Sequence, residues 1–259
     1  MYWYRGELGA ARVAFTDREL GNLALHVPDD ADAVRRRRLR LEDDLGVEPG
    51  SLLFLDQVHG TRVADADDPD LGTAPTADAA VSTTGRPLAV MVADCVPVLF
   101  EGTDPLTPDL SVTAVAHAGR NGLLEGVLEA TVQTMRARGA TTVRAVVGPC
   151  VCGSCYEVPG DMAADAERRL PGIRSTTARG TFGLDLPAAV VRELKRLDVV
   201  VTRPVGEAGP ACTLENQALS SHRRDPGSGR IVGVVVGAQM PTDAVARAPH
   251  AVQGGGHSD

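Results

Sequence analysis

Leu88-Ala89-Val90-Met91-Val92-Ala93-Asp94-Cys95-Val96-Pro97-Val98-Leu99-Phe100 consists of two apolar runs separated by a junction that carries a carboxylate and a thiol. Apolar runs of this length, rich in Val and Leu, have the dimensions of buried strands rather than helices. Strands are therefore expected near Leu88 to Val92 and Val96 to Phe100. Asp94 and Cys95 sit where the chain changes course, beside scaffold that can restrain reactive side chains.

The pattern repeats on both sides of this stretch. Val112 to Ala116 reads as a strand ending at His117. Leu52 to Leu55 reads as a strand delivering Gln57 and His59 into a loop, where Gly60 permits a tight backbone path. Further strands are expected at Ala10 to Phe15, Ala79 to Val81, Val143 to Val147, Val199 to Val201 and Ile231 to Val236. The spacing predicts helices over Ala33 to Leu45, Leu123 to Arg138, Asp161 to Arg169 and Pro187 to Leu197. The first of these has an acidic start and Gly46 as its stop; in the second, Leu124, Val127, Leu128, Val132 and Met135 fall on one face. No repeat, Pro/Gly-rich linker or abrupt charge boundary calls for separate domains, and residues 254–259 read as a frayed tail.

Composition narrows the function classes. The 259 residues are 43% hydrophobic but only 3% aromatic, so Val, Leu and Ala must fill the core. A formal charge of -8 gives no global basic surface for nucleic acid. The dense basic run Arg35 to Arg38 would spread around a helix and is offset by Glu42, Asp43 and Asp44. Neither a signal segment nor an apolar span of membrane length is present, and the acidic stretch Asp65, Asp67, Asp68 and Asp70 reads as a surface loop. Five cysteines, three of them crowded between Cys150 and Cys155, fit reduced thiols or a metal site better than a secreted disulfide scaffold, so a cytoplasmic location is expected.

His59, Cys95 and His117 form the constellation that can carry chemistry. Each alone has a plain structural reading as turn cap, core thiol or carbonyl partner. Together, at three strand-to-loop transitions, two imidazoles and a thiolate can fill three positions around a tetrahedral zinc ion and leave the fourth for water or substrate. Spacing alone also allows Cys95 as a nucleophile, with a histidine base and Asp94 as orienting group. In Cys150-x-Cys152-xx-Cys155 a second metal reading arises, but a second paired ligand cluster is missing; a substrate-wall or folding role is favoured over a structural zinc, with redox chemistry third, and Cys155-Tyr156-Glu157 offers a hydrogen-bonding edge.

Asp56-Gln57-Val58-His59-Gly60, Ala93-Asp94-Cys95-Val96-Pro97-Val98-Leu99-Phe100 and Ala116-His117-Ala118-Gly119 together resemble the YfiH laccase-domain family, formerly described as multicopper polyphenol oxidases and associated with purine nucleoside metabolism. Asn22 to Asp30, Gly148 to Val158 and Ser221-His222-Arg223-Arg224-Asp225 extend the resemblance across nearly the whole chain. The resemblance implies one α/β domain over residues 1–259, with a mixed central sheet flanked by helices. It implies Zn2+ on His59, Cys95 and His117, with Asp94 as an orienting or proton-transfer group. His26, Arg38, Arg120, Cys155 and Glu157 are the corresponding candidates for substrate or phosphate contact.

The implied reactions are phosphorolysis of adenosine, inosine, guanosine or methylthioadenosine and hydrolytic deamination of adenosine, by a monomer whose partners are purine nucleosides and inorganic phosphate. The family also includes bacterial relatives linked to removal of misincorporated serine from a UDP-muropeptide, and a noncatalytic metal-stabilised module is a further alternative. One departure bears on substrate: where the family commonly has Trp-Arg-Gly after His-Ala-Gly, this chain has Arg120-Asn121-Gly122, and Ala24 and Pro28 stand where glycine is common.

Overall fold

The two apolar runs on either side of Asp94 are both strands, β5 (Leu88–Val92) and β6 (Val96–Asp104), but they join different sheets. The chain passes from one sheet to the other at Ala93 to Cys95, with Asp94 at a φ of 88°. The computed structural model describes residues 1–206 and 209–238, so the tail expected at 254–259 lies outside the described residues.

The element order is β1 (Tyr2–Leu8), β2 (Ala11–Thr16), α1 (Ala31–Leu45), β3 (Val63–Asp65), β4 (Ala79–Ser82), β5, β6, β7 (Thr107–Ala118), α2 (Arg120–Glu125), α3 (Val127–Ala137), β8 (Thr142–Val147), α4 (Gly160–Arg169), β9 (Arg174–Thr176), β10 (Phe182–Leu184), α5 (Leu186–Arg196), β11 (Val199–Thr202) and β12 (Ile231–Val236). The central sheet has six strands in the order β11-β8-β6-β7-β4-β3. It is mixed, because β11 runs parallel to β8 and β3 parallel to β4 while the other pairs are antiparallel. A four-stranded antiparallel sheet, β1-β2-β12-β5, packs on one face.

The period of two in the strands sorts side chains among three cores. Val96, Val98 and Phe100 of β6 face α3 and α5, whereas Leu99 faces the four-stranded sheet. In β5, Leu88, Val90 and Val92 enter the layer between the sheets, while Ala89 and Met91 point the other way, toward Leu41 and Leu45 of α1. The result is a layered α/β domain with helices outside both sheets.

Several expectations need correction. Leu52 to Leu55 is buried but makes only an isolated bridge, Leu53 with Leu88, instead of a strand. Beyond it the Gln57 side chain replaces the ladder: its amide nitrogen donates to the Met91 carbonyl at 2.8 Å and its oxygen accepts from the Met91 N–H at 2.8 Å. The single helix expected over Leu123 to Arg138 is two, broken at Gly126, whose φ of 96° an α-helix does not allow. Strand β1 and the β9-β10 hairpin add to the elements expected from the sequence. In α1 the four arginines diverge: Arg35, Arg36 and Arg37 pair with Asp32, Asp30 and Asp29, and Arg38 stacks on Phe54 with 3.6 Å between its guanidinium carbon and the ring centroid.

Candidate metal centre

Strand register brings the three ligand candidates together. Pro97 pairs with His117 across β6 and β7, which sets Cys95, two residues before Pro97, beside the residues that follow β7. Ala79 pairs with Ala116, which puts Asp78 alongside His117. Asp78 is fully buried and does three things at once. Its Oδ1 lies 2.8 Å from His117 Nδ1; its oxygens accept from the backbone N–H groups of Val58 (3.2 Å), His59 (2.9 Å) and Gly60 (2.7 Å); and its carbonyl accepts from the His117 N–H at 2.7 Å. His59, at a φ of 62°, is thereby held in a left-handed turn that a non-glycine residue seldom adopts.

His59 Nε2 is 3.8 Å from Cys95 Sγ, and the two imidazole rings meet edge to face with centroids 4.8 Å apart. One ligand atom from each of His59, Cys95 and His117 lies within 4.8 Å of the others. Because Asp78 engages Nδ1 of His117, its Nε2 is the nitrogen left for a metal, the carboxylate–histidine arrangement that orients metal-binding imidazoles. Gly119 closes the cradle: a Cβ there would come within 2.7 Å of His59 Cδ2 and 3.2 Å of Cys95 Sγ. Two imidazoles, a thiolate and a carboxylate behind one imidazole fit a zinc-type ion.

The electrostatics agree with this donor set. Burial works to raise the Cys95 pKa, but the His117 charge and hydrogen bonds from both histidines outweigh it and the thiol is pulled well below its ordinary value. Burial works to lower His117, but the Cys95 charge and the Asp78 hydrogen bond outweigh it and push the imidazole up. Asp78 is lowered despite burial, through its bonds to His117 and the Gly60 N–H.

The trio opens on a cavity of about 340 Å³, lined also by His26, Gln57, Met91, Val92, Ala93, Asp94, Tyr156, His222, Arg223 and Arg230. Arg223 lies over the Tyr156 ring at 4.4 Å, and Arg224 turns away to donate to the carbonyls of Thr213, Leu214 and Asn216. Arg230 lines the same cavity, and burial lowers its pKa while Cys95 and Asp94 act the other way.

Of the substrate contacts expected from the sequence, His26 lines this cavity and four residues do not. Arg38 is committed behind the wall, where it donates to the Leu23 carbonyl at 2.9 Å and stacks on Phe54; burial lowers its pKa to about 10. Arg120 opens α2 at the foot of the Gly119 turn. Cys155 and Glu157 line a neighbouring depression with Thr177, Ala178 and Arg179, joined to the first through Arg223. Asp94 reaches the wall, but its Oδ1 accepts from the Thr213 hydroxyl at 2.6 Å and its Oδ2 from the Arg223 N–H at 2.8 Å. Sequence reasoning missed Asp78, Arg223 and Arg230; a lone carboxylate in Ala77-Asp78-Ala79-Ala80 and the paired arginines of Ser221 to Asp225 were the available signals.

Residues 10–238 match the family model described as multi-copper polyphenol oxidoreductase laccase. The chain belongs to this family. Among family relatives, a purine nucleoside phosphorylase of Corynebacterium glutamicum is 40% identical over 219 residues, covering 83% of this chain and 85% of that protein. One of Streptomyces coelicolor is 40% identical over 248 residues, covering 91% and 99%. The crystal structure of Bacillus licheniformis hypothetical protein YfiH superposes with a TM-score of 0.77 at 27% identity, covering 90% of this chain and 94% of that one. The mixed α/β fold is thus the YfiH-like fold of the family. Among the described residues no helix is long and apolar enough to cross a membrane.

Proposed function

We propose that the chain is a zinc-dependent purine nucleoside phosphorylase, acting on adenosine, inosine, guanosine or methylthioadenosine, with adenosine deamination as an accompanying activity. The observation that carries this reading is a soft donor trio at one wall of a small-molecule cavity that also presents two arginines, Arg223 and Arg230. Its volume of about 340 Å³ lies in the range of small-ligand pockets. The names of the relatives support the substrate class.

His59, Cys95 and His117 would hold the zinc ion, which would supply Lewis acidity beside the cavity. Arg223 and Arg230, both on the cavity wall, bind the phosphate anion. A phosphate oxygen then forms a bond to the anomeric carbon as the glycosidic C–N bond breaks, and the purine leaves with that electron pair and takes up a proton. His26 has its pKa lowered by partial burial and then by Arg230, so at neutral pH it is an uncharged imidazole able to donate to or accept from a ribose hydroxyl. Because both its carboxylate oxygens are engaged, Asp94 acts as a positioning residue that sets Arg223, in place of proton transfer.

The test is a product assay on metal-quantified protein, with nucleosides plus phosphate in one arm and a serine-containing UDP-muropeptide in the other. Ribose 1-phosphate and free base are expected in the first, with inosine from adenosine as the deamination product. Arg230→Ala should raise KM for phosphate about 10- to 100-fold, the worth of one charge-assisted hydrogen bond, with a smaller effect on kcat. Serine release without ribose 1-phosphate would overturn the reading in favour of muropeptide editing. Turnover of neither would leave a metal-stabilised interaction module.

A further inference from the structure

A second group of metal-capable side chains lies outside the cavity. Cys152, Cys155, Cys212 and Glu215 each offer one ligand atom, all within 4.8 Å of one another. They arrive as two short chelating pairs with the same spacing, Cys152-Gly153-Ser154-Cys155 and Cys212-Thr213-Leu214-Glu215. The backbone builds each pair into a turn. The N–H groups of Cys155 (3.0 Å) and Tyr156 (2.9 Å) donate to the Cys152 carbonyl, and the Asn216 N–H donates to the Cys212 carbonyl at 2.9 Å.

The turns are docked on each other. The Cys150 N–H donates to the Ala211 carbonyl at 3.0 Å and the Thr213 N–H to the Cys150 carbonyl at 3.1 Å. Across the gap, the Cys152 N–H donates to Cys212 Sγ at 3.5 Å and the Cys155 thiol to Glu215 Oε1 at 3.4 Å. Cys150 is the member of the sequence cluster that stands outside this group, with its thiol buried. Cys212 and Glu215, some 60 residues further along the chain, supply the second pair that the sequence around Cys150 lacks.

We propose that Cys152, Cys155, Cys212 and Glu215 form a second metal site, separate from His59, Cys95 and His117, that takes a zinc ion in a closed structural role. Three thiolates exclude the hard cations that prefer oxygen, and zinc accepts three sulfurs and a carboxylate in a tetrahedron. With Zn–S bonds of about 2.3 Å, the sulfurs of a tetrahedral site lie roughly 3.8 Å apart, so the group needs to contract by about 1 Å or less. The thiol protons pass to solvent as the ion binds.

The site has an evident task. The first turn leads directly into Tyr156, which lines the cavity, and the second contains Thr213, whose hydroxyl holds Asp94. A zinc ion between the turns staples the loop that carries Tyr156 to the loop that holds Asp94 in the cavity wall. The ion itself stays outside that cavity, whose lining includes none of these four residues.

The test is metal content and spectroscopy on the full chain, purified under reducing conditions after growth with zinc. The wild type should carry about two zinc ions per chain, and H59A/H117A, which removes the first site, should retain about one. Cobalt-loaded H59A/H117A should show an intense thiolate charge-transfer band and tetrahedral visible bands, and C152S/C212S introduced into the same background should abolish both. If H59A/H117A does not fold, the wild type decides: the cobalt band should titrate in two steps, and C152S/C212S alone should lose one of them. Folded H59A/H117A with background zinc and no charge-transfer band would overturn the proposal. So would an intact mass showing a disulfide among Cys152, Cys155 and Cys212 in freshly purified reduced protein.

Discussion

Asp78 is where the proposed metal centre is most exposed to a single substitution. Its buried carboxylate pairs with His117 Nδ1 at 2.8 Å and accepts from the Val58, His59 and Gly60 N–H groups at 3.2, 2.9 and 2.7 Å. One side chain therefore sets the ring of one candidate ligand and the backbone turn of another. Asp78→Asn keeps the volume and one acceptor oxygen but turns an NH2 toward groups that donate. Loss of such a carboxylate partner costs about 10- to 100-fold in metal affinity, or roughly 1.4–2.7 kcal/mol. Asp78→Ala is harsher: it strands a buried imidazole and three amides, and since water can reach part of the His59 turn, a destabilisation of about 3–5 kcal/mol is expected rather than four full hydrogen bonds.

Zinc affinity, measured by chelator competition on protein shown to be folded by circular dichroism, separates the two effects. Denaturant unfolding of the metal-free proteins gives the stability term on its own. If folded Asp78→Asn bound zinc as tightly as the wild type, Asp78 would be a fold residue alone, and the carboxylate–histidine account of the site would fail.

Gly119→Ala should act on the same ion without replacing a ligand: the added Cβ, 2.7 Å from His59 Cδ2, must displace that ring, so metal affinity should fall at least about tenfold by chelator competition while the unfolding midpoint of the metal-free protein changes little. Asp67 accepts from Ser82 Oγ, Thr83 N–H, Thr83 Oγ1 and Thr84 Oγ1, and although burial works to raise its pKa these donations outweigh it and the net shift is downward. A lowered carboxylate stabilises the fold above its unfolded value of about 4 and loses that contribution as pH falls through the lower folded value, so the urea-unfolding gap between wild type and Asp67→Asn should be full at pH 7 and shrink below about pH 4.

Most strands are legible as continuous apolar runs, but burial alone does not make a strand: Leu52 to Leu55 is equally apolar and buried yet forms only the single bridge from Leu53 to Leu88. Which sheet each strand joins is not legible. Leu88 to Val92 and Val96 to Phe100 read alike, and it is the left-handed Asp94 and the pairing of β5 with β12, more than 130 residues away, that divide them between sheets. Strand β1 is hidden in the sequence because Arg5 and Glu7 occupy its outer face, and its pairing with β2 becomes visible only with the fold. The break at Gly126 is written in the chain but looks tolerable in an otherwise periodic helix.

The site divides along the same line. His59, Cys95 and His117 stand out because ligand-type side chains at three strand-to-loop transitions coincide with the matching motifs, whereas the direction in which Arg38 leaves α1, or Cys155 and Glu157 leave the 148–158 loop, is set by packing that the sequence does not display. Arg120-Asn121 is the case with the largest consequence for substrate. The aromatic residue common in the family after Gly119 is absent, and the chain enters α2 there; the phenol ring on the cavity wall is Tyr156, from the 148–158 loop, with Arg223 stacked over it. In the proposed phosphorylase, recognition of the base and phosphate falls to the loops that carry Tyr156, Arg223 and Arg230, the first of which is one half of the proposed cysteine staple. The ratio of kcat/KM for adenosine to that for inosine should therefore change more in Cys152→Ser or Cys212→Ser, remote from the cavity, than in Arg120→Trp.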